Sequence, residues 1–250
     1  MPRMSVFAAM IIPTALALLS ARCNAPQTQD ASAVSTDLAH AREAVQRRLS
    51  QDCQLLHAQM QGLASQIPQE REFTMKLLVE NDRTAPEVTD LAPRYRAAMG
   101  LSLLDIADSA GTLLSSGHFP ANAGSSVSVK LANVGEEPVF VHDTVNGRAV
   151  LTLQSRAGCA VEGVHFSCVG GWIVDETYLA RLAPWTGVTV IVRQETGVLG
   201  MSGVSSMSEL LNNSIVLNNR TFAADTVAIP FAGAGPAPQL LVLIEQPTPR

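Results

Sequence analysis

The sequence predicts an α+β fold, with a long N-terminal helix before a mainly antiparallel sheet. Three observations lead to this prediction. Apolar residues keep a helical period from Val34 to Ile67. Beyond residue 100, short apolar runs alternate with Gly, Asn and Pro, as in strands joined by turns. Most of the predicted helices precede these strands, so we expect the helices to cover one side of the sheet.

The long helix is predicted by a single apolar stripe whose members recur in steps of three and four residues. The stripe comprises Val34, Leu38, Ala41, Val45, Leu49, Cys53, Leu56, Met60, Leu63 and Ile67. Pro68 has no backbone N–H to donate and is expected to end the helix. We expect the stripe to pack against the domain's own sheet. Its alternative role is the seam of a homodimer that leads out from a membrane.

Two shorter helices are predicted after the long one, at 70–80 and 87–99. Gly100 follows the second of them. A glycine suits the left-handed backbone position that commonly ends a helix. The three helices therefore lead directly into the first strand.

A β-hairpin is predicted next. The apolar run 101–106 indicates a buried strand, and the run 112–114 begins the returning strand. Asp108 and Gly111 supply the turn, because an Asp side chain bonds its neighbouring backbone and Gly tolerates positive φ. Pro120 ends the hairpin.

The hairpin LLDIADSAGTLLSSGHFP, residues 103–120, resembles the extracytoplasmic Cache/PAS-like sensor region of membrane-bound bacterial sensor histidine kinases, as does the order of helices before it. The segment GGWIVDETYLARL, residues 170–182, is similar to the GG..LD..FL..L pattern of the same regions, with Val174 replacing the usual leucine. The resemblance covers residues 34–192. It implies a PAS-like antiparallel sheet that receives a signal and does not itself catalyse.

Sensor kinases of this kind continue into a second membrane span and kinase domains. Near its end this chain carries only a short apolar run, 240–244, far below the about 20 residues that a span needs. We therefore expect either a truncated sensor kinase or a stand-alone sensor, with no kinase chemistry in the chain itself.

Further strands are expected in the second half of the chain. Asn146-Gly147 is the strongest short hairpin signal and joins strands predicted at 138–141 and 148–155. The alternating run 127–131 suggests a short strand, and Gly170-Gly171 suggests a sharp turn. The strands that close the sheet are predicted at 214–217, 226–229 and 239–244. These strands are expected to belong to one mainly antiparallel sheet, and the sequence shows no internal repeat.

The four cysteines of the chain suit an exported protein. With Gly163-Val164 as a type II′ turn, Cys159 and Cys168 face each other across a hairpin, with Cα atoms about 4.5 Å apart. A disulfide between them is the first expectation, and a pair of buried free thiols is the alternative. No further cysteine pair or histidine has ligand spacing, so no metal site is expected. Cys23 and Cys53 have no evident partner.

The N-terminus indicates export. Residues 5–21 carry no charge and lie between Arg3 and Arg22, which predicts a transmembrane anchor or signal segment over 1–22. A linker is expected at 23–35 and an extracytoplasmic domain at 36–250. We favour an uncleaved single-pass anchor in the inner membrane. The alternative is cleavage, which releases a periplasmic or secreted protein.

Composition and motifs exclude several functions. Lys and Arg number 17 against 22 Asp and Glu, and aromatic residues make up 4% of the chain, so nucleic-acid binding has little support. The sequence contains no G-x-S-x-G, H-E-x-x-H, Walker A or G-x-G-x-x-G motif. We therefore expect no enzyme activity and no cofactor.

Five residues are candidate ligand contacts: His118, Phe119, Arg148, Trp172 and Tyr178. His118 is expected at the mouth of a sensor pocket, where it can titrate or contact an anion. An arginine can hold a carboxylate, and the aromatic residues can line an apolar pocket. The structural alternatives are a turn histidine bonded to backbone, an exposed arginine at a strand end, and ordinary core aromatics.

One further residue stands out because Asp105 interrupts an apolar run, so that it either faces solvent or has a buried partner. The function expected from all these features is the reception of a small-molecule signal, transmitted by a ligand-dependent shift of the long helix. The alternative is an exported structural or partner-binding protein that has a PAS-like fold and no small-molecule ligand.

Overall fold

The computed structural model of the protein describes residues 27–145, 147–194, 197–199, 214–217, 219–233 and 235–246. Its helices and short helical turns are α1 Gln27–Gln66, a 3-10 turn Ile67–Gln69, α2 Arg71–Thr74, a π-helical turn Met75–Val79, α3 Pro86–Thr89, α4 Leu91–Met99, a 3-10 turn Pro120–Asn122, α5 Ser128–Asn133 and α6 Glu176–Leu182. Its strands are β1 Leu103–Asp108, β2 Leu113–Ser116, β3 Val139–Val145, β4 Arg148–Val161, β5 Val164–Ile173, β6 Val188–Gln194, β7 Gly197–Leu199, β8 Ser214–Leu217, β9 Arg220–Val227 and β10 Gln239–Glu245.

The strands form two antiparallel sheets that share one strand order. The first sheet runs β2-β1-β5-β4-β3 and the second runs β7-β6-β10-β9-β8. Adding five to each strand number of the first sheet therefore gives the second. The α+β class and the antiparallel pairing are confirmed, whereas the expected single sheet without a repeat is wrong. The repeat lies in the path of the backbone, and the side chains of the two sheets differ enough to hide it in the sequence.

The long helix joins the two sheets. Helix α1 packs against β4 of the first sheet and against β9 and β10 of the second. The stripe residues Ala41, Val45, Leu56, Met60 and Leu63 are fully buried in this contact. The expectation that the stripe packs against the domain's own strands is confirmed. These side chains are therefore unavailable as a dimer seam.

The helix begins earlier than the sequence suggested. Residues 27–35 were expected to form part of a linker, yet they belong to α1. The predicted anchor, residues 1–22, lies outside the described residues. Within the part of the chain that is described, no helix is both long and apolar enough to cross a bilayer.

The first hairpin forms as predicted. Asp108 ends β1, and its Oδ1 accepts the backbone N–H groups of Ala110 and Thr112 at 3.0 and 2.9 Å. Gly111 has φ 76°, which requires the freedom of a glycine. Arg83 donates to the other Asp108 oxygen at 2.8 Å. Burial opposes ionisation of Asp108, but these hydrogen bonds outweigh it and hold the pKa of Asp108 below its usual value.

The predicted strand at 127–131 is wrong, because most of this run belongs to α5. Its alternation of apolar residues is misleading, since Val129 is 77% exposed. The apolar contacts instead follow helical spacing: Val127 and Leu131 are partly buried and Val134 is fully buried, in steps of four and three residues. Helix α5 therefore lies with one apolar edge against the first sheet.

The hairpin between β4 and β5 turns one residue earlier than predicted. Val161 pairs with Val164, so Glu162 and Gly163 form the turn with φ 49° and 83°. Positive φ at both positions is typical of a type I′ turn rather than the expected type II′ turn. The reason for the error is that Glu162 adopts a left-handed conformation that glutamate seldom takes.

This register moves the two cysteines from opposite to diagonal positions. Cys159 pairs with Phe166 and Cys168 pairs with Ala157. Both are free thiols on the same face. They lie close enough to hydrogen-bond, which lowers the pKa of Cys159 and, together with burial, raises the pKa of Cys168. Diagonal Cα atoms lie about 7–8 Å apart, so a disulfide requires a small backbone movement; the bond stays a prediction.

Gly170 and Gly171 do not turn the chain as expected, because both lie inside β5. A Cβ atom on Gly170 would approach Met60 Sδ of α1 to 2.7 Å. A Cβ atom on Gly171 would collide with the carbonyl oxygen of Leu153 in β4. The two glycines therefore allow close packing of the strand against its neighbours.

Candidate functional site

The first sheet has two chemically distinct faces. Side chains alternate along each strand, so Leu104 and Ile106 of β1 point into the core beneath α1, while Asp105 points to the other face. We call this other face the outer face. Helix α5 covers it, with Leu131 packed against Val141 and Val169 of the sheet.

A buried ionic cluster lies between α5 and the outer face. Lys130 of α5 donates from Nζ to Asp105 Oδ2 of β1 at 2.8 Å and to Asp143 Oδ2 of β3 at 2.8 Å. Burial alone would lower the pKa of Lys130, but the two carboxylates raise it above its usual value. Burial likewise acts to raise the pKa of Asp143, and the ammonium group lowers it instead. Lys130 and Asp143 are therefore both ionised at neutral pH.

Neutral polar groups surround the cluster. Ser116 donates to Asp105 Oδ1 at 2.8 Å. Gln154 Nε2 donates to Asp143 Oδ2 at 2.7 Å and to Thr152 Oγ1 at 2.7 Å. The other atom of the same amide, Gln154 Oε1, is buried and has no hydrogen-bond partner among the described residues. A buried acceptor without a donor is unusual and costs about 1–3 kcal/mol.

His118, which the sequence places at the mouth of a sensor pocket, lies at the edge of this ionic cluster. Its Nδ1 atom is 3.6 Å from Asp105 Oδ1 and 3.4 Å from Ser116 Oγ. Burial lowers the pKa of His118 and outweighs the opposing effect of Asp105, so the imidazole is neutral at pH 7. Phe119 follows on the chain, where its side chain is 42% exposed and its N–H donates to Ser116 Oγ at 3.3 Å.

Two other candidate residues lie on the opposite side of the sheet from His118. Trp172 pairs with Leu153, which points into the core, and its Nε1 donates to the carbonyl of Gly100 at 3.2 Å. Tyr178 of α6 is buried, and the guanidinium of Arg181 lies 5.1 Å from the Tyr178 ring and 6.0 Å from the Trp172 ring. Burial raises the pKa of Tyr178 far above its usual value. The structure thus brings these two aromatic residues together, but not with His118.

Arg148 is separated from the cluster along the sheet. It is exposed and pairs with Val145 at the first position of β4. Gln154 lies six residues further along the same strand, which corresponds to about 20 Å. The five candidate residues therefore fall in three places rather than in one pocket.

The residues that form the cluster were mostly missed. Lys130 and Asp143 were not singled out, and Gln154 carried no signal beyond its strand position. Of the two alternatives for Asp105, solvent or a buried partner, the structure shows the buried partner, which is Lys130. The signal that could have found the cluster is a charged residue interrupting each of two apolar strands, since Asp143 also follows Phe140 and Val141.

Within the described residues, no three or more His, Cys, Asp or Glu side chains are grouped so that they could hold a metal ion. The ionic cluster itself contains two carboxylates and an ammonium group. Its chemistry suits hydrogen bonding and ion pairing rather than metal binding.

Solved structures resemble the fold over most of its length. The periplasmic domain of Vibrio cholerae LuxQ has a TM-score of 0.54 and 10% identity, over 84% of this chain and 100% of that one. The sensor domain of the V. cholerae histidine kinase DctB has 0.53 and 9%, over 88% and 100%. The ligand-binding domain of the Campylobacter jejuni chemoreceptor Tlp3, in complex with L-norvaline, has 0.53 and 13%, over 88% and 93%.

This chain has the fold of an extracytoplasmic Cache-like sensor domain. The likeness runs through both sheets and the long helix, since it covers more than four fifths of the chain. No protein-family model and no curated protein sequence matches the chain. The fold recognised from the hairpin at 103–120 is therefore confirmed by three-dimensional structure rather than by sequence.

Proposed function

We propose that this chain is the signal-receiving domain of a membrane-bound signal transduction protein, and that it binds a small molecule on the outer face of the first sheet. The observation that carries the proposal is the buried ionic cluster beneath α5, because buried charges are costly and mark functional places more often than the average core position. The Tlp3 domain, which shares the fold, was solved with an amino acid bound. Small polar ligands are thus compatible with this architecture.

The described contacts supply a route from the first sheet to the rest of the domain. Arg48 of α1 donates to the carbonyl oxygens of Arg181 at 3.0 Å, Ala183 at 2.5 Å and Pro184 at 3.5 Å. These carbonyls end α6, which connects the first sheet to the second. A ligand that favours one of two positions of the first sheet relative to α1 would therefore shift α1 and the second sheet together. The shift is limited by the ligand's differential affinity for the two positions.

The setting in the cell is part of the same proposal. Segment 1–22 anchors the domain in the inner membrane, and the domain lies outside the cytoplasm. The output comes from a histidine kinase, either in a longer form of this chain or in a partner. Any homodimer uses the exposed side of α1, where Glu43, Arg47 and Leu55 lie, since the apolar stripe is buried.

The direct test is a ligand screen on the full chain. Amino acids, amines, carboxylates and sugars are added singly, and the midpoint of thermal unfolding is measured. A ligand at 100 times its dissociation constant stabilises the folded state by about 2.7 kcal/mol, which raises the midpoint by about 5–10 °C in a domain of this size. Binding that is lost in Asp143→Asn and retained in Arg148→Ala would place it at the cluster.

A screen in which no compound raises the midpoint would contradict the proposal. The chain would then fit the alternative of an exported partner-binding protein with no small-molecule ligand.

A further inference from the structure

The ionic cluster joins two separate parts of the fold through one side chain. Asp105 and Asp143 belong to the sheet, in β1 and β3, whereas Lys130 belongs to the covering helix α5. Helix α5 has six residues, too short to be stable by itself. It is held by apolar contacts of Leu131, by the bond from Arg156 Nη1 to the Leu131 carbonyl at 2.7 Å, and by the two ion pairs of Lys130.

The two carboxylates form a receptor for a primary ammonium group. Each accepts from Lys130 Nζ at 2.8 Å, the distance of a charge-assisted hydrogen bond. Without that ammonium, two negative charges would face each other with little solvent around them, since Asp105 is 5% exposed. Such a pair binds a cation strongly, because its alternative is uncompensated repulsion in a medium of low polarity.

A second, independent observation points to a ligand with another N–H group. Gln154 is 0% exposed, and its Nε2 is already bonded to Asp143 and Thr152. Its Oε1 is left without a donor among the described residues. Lys130 offers only one ammonium group, which the carboxylates occupy. A molecule that carries both an ammonium and a neighbouring N–H donor would satisfy the carboxylates and this amide together.

We propose that Asp105 and Asp143 are a binding site for a primary ammonium group, which Lys130 occupies in the resting state and which an external amine ligand takes over. Lys130 is then an internal ligand that keeps α5 closed over the sheet. Exchange for the external ammonium releases α5 from the two carboxylates. This inference rests on the proposed function only for the external ligand; the ammonium site and its occupation by Lys130 stand on the contacts alone.

Replacement of the internal ligand by a free one tests the site. We expect Lys130→Ala to lower the unfolding midpoint of the full chain by about 8 °C, because it leaves the two carboxylates unpaired. Ethylammonium chloride is then titrated while circular dichroism follows unfolding. At ten times its dissociation constant, ethylammonium should raise the midpoint of the variant by about 4 °C. If the variant is unfolded at 20 °C, ethylammonium should restore its folded spectrum.

The controls separate specific binding from screening by salt. Sodium chloride and tetramethylammonium chloride at equal concentration should give no saturable rise, because neither supplies an N–H donor. The double variant Lys130→Ala, Asp143→Asn should lose the response to ethylammonium. In the wild-type chain, the tethered Lys130 ammonium competes at a high effective concentration, so half-saturation should need at least about tenfold more ethylammonium. A response of Lys130→Ala that is absent, or equal in all three salts, overturns the proposal.

The role of Gln154 is tested with a matched pair of probes. Glycinamide carries an ammonium and an amide N–H, whereas ethylammonium carries the ammonium alone. We expect glycinamide to bind Lys130→Ala about fivefold more tightly, a typical effect of one added hydrogen bond, and Gln154→Met to remove that difference. If these amines rescue Lys130→Ala but no compound binds the wild-type chain, the ammonium site stands and the sensory function is rejected. If a compound without an amine binds the wild-type chain and the amines do not rescue Lys130→Ala, the sensory function stands and the ammonium site is rejected.

Discussion

The two sheets share a strand order but differ on their outer faces. At the middle of β1 stands Asp105, and at the middle of the topologically equivalent β6 stands Ile191; both point away from α1. Around Asp105 lie Lys130 and Asp143, whereas Ile191 packs against Leu241 and other apolar side chains. The backbone path therefore does not determine what a sheet of this kind can bind. A few outward-facing residues decide it.

The inner faces of the two sheets, in contrast to the outer faces, are chemically alike. Both sheets present aliphatic side chains to α1, such as Leu104 in the first and Val190 in the second. One amphipathic helix can serve two sheets only if their inner faces are alike. We conclude that the shared inner surface couples the sheets, while the outer surfaces are free to differ in function.

The largest loss of stability is expected when a charge like that of the first sheet is introduced into the outer face of the second sheet. Ile191→Asp puts a carboxylate among the apolar side chains of Ile215, Phe222 and Leu241. We expect the free energy of unfolding to fall by more than about 4 kcal/mol, because burying a charge in apolar surroundings is among the most destabilising changes. Urea unfolding measures it.

The control at this position is Ile191→Val, which keeps the face apolar and should cost about 1 kcal/mol. If Ile191→Asp were tolerated as well as this control, the outer face of the second sheet would not be the buried apolar surface that the structure shows.

The reciprocal change acts on the first sheet. Asp105→Asn removes one of the two charges that hold Lys130, while Asp143 remains. We expect a loss of about 3 kcal/mol in the free energy of unfolding, at the lower end of the range for a broken buried ion pair. The matched surface change Asp37→Asn should stay within about 0.5 kcal/mol. Equal effects of the two variants would show that the cluster contributes nothing to stability.

The coupling between the sheets depends on a smaller interaction. Arg48→Ala removes the donor to the carbonyls at the end of α6, and we expect a loss of about 1.5 kcal/mol. Arg47→Ala, one residue away on the exposed side of α1, is the control and should have little effect. Hydrogen exchange of α6 should accelerate in the first variant only.

A weaker effect is expected from His118 as the pH falls. Its pKa is lowered in the folded chain by burial, whereas an unfolded histidine titrates near about 6.5. Below that pH the unfolded chain takes up a proton that the folded chain does not, so the free energy of unfolding falls as the pH drops from 7 toward 5. His118→Asn should flatten this slope.

The smallest effect on stability is expected at the cysteine pair, where the prediction concerns the covalent state of the two thiols. Mass spectrometry without reductant should find Cys159 and Cys168 joined after export, with the mass lowered by two hydrogen atoms. The diagonal register predicts that this bond reduces easily, since its closure moves the backbone. Free thiols at both positions after export would show that the pair is a buried structural contact.

Local sequence signals predicted the parts of the fold that depend on neighbouring residues. The stripe of α1, the turn at Asp108 and Gly111, and the helix end at Gly100 each involve residues within a few positions of one another. The errors have other causes. Glu162 in the β4–β5 turn adopts a left-handed conformation that glutamate seldom takes. The run from Val127 to Leu131 alternates like a strand, but its buried side chains follow the spacing of a helix.

By itself, the sequence determined the long helix, the α+β class, the first hairpin and the resemblance to a sensor fold, because periodicity and turn chemistry act over short distances. Only the tertiary structure decided that the strands form two sheets of one order, and that Asp105, Lys130 and Asp143 meet. Those three residues are 25 and 13 positions apart along the chain. No local pattern records an ion pair that exists only because a covering helix folds back onto a sheet and excludes water from it.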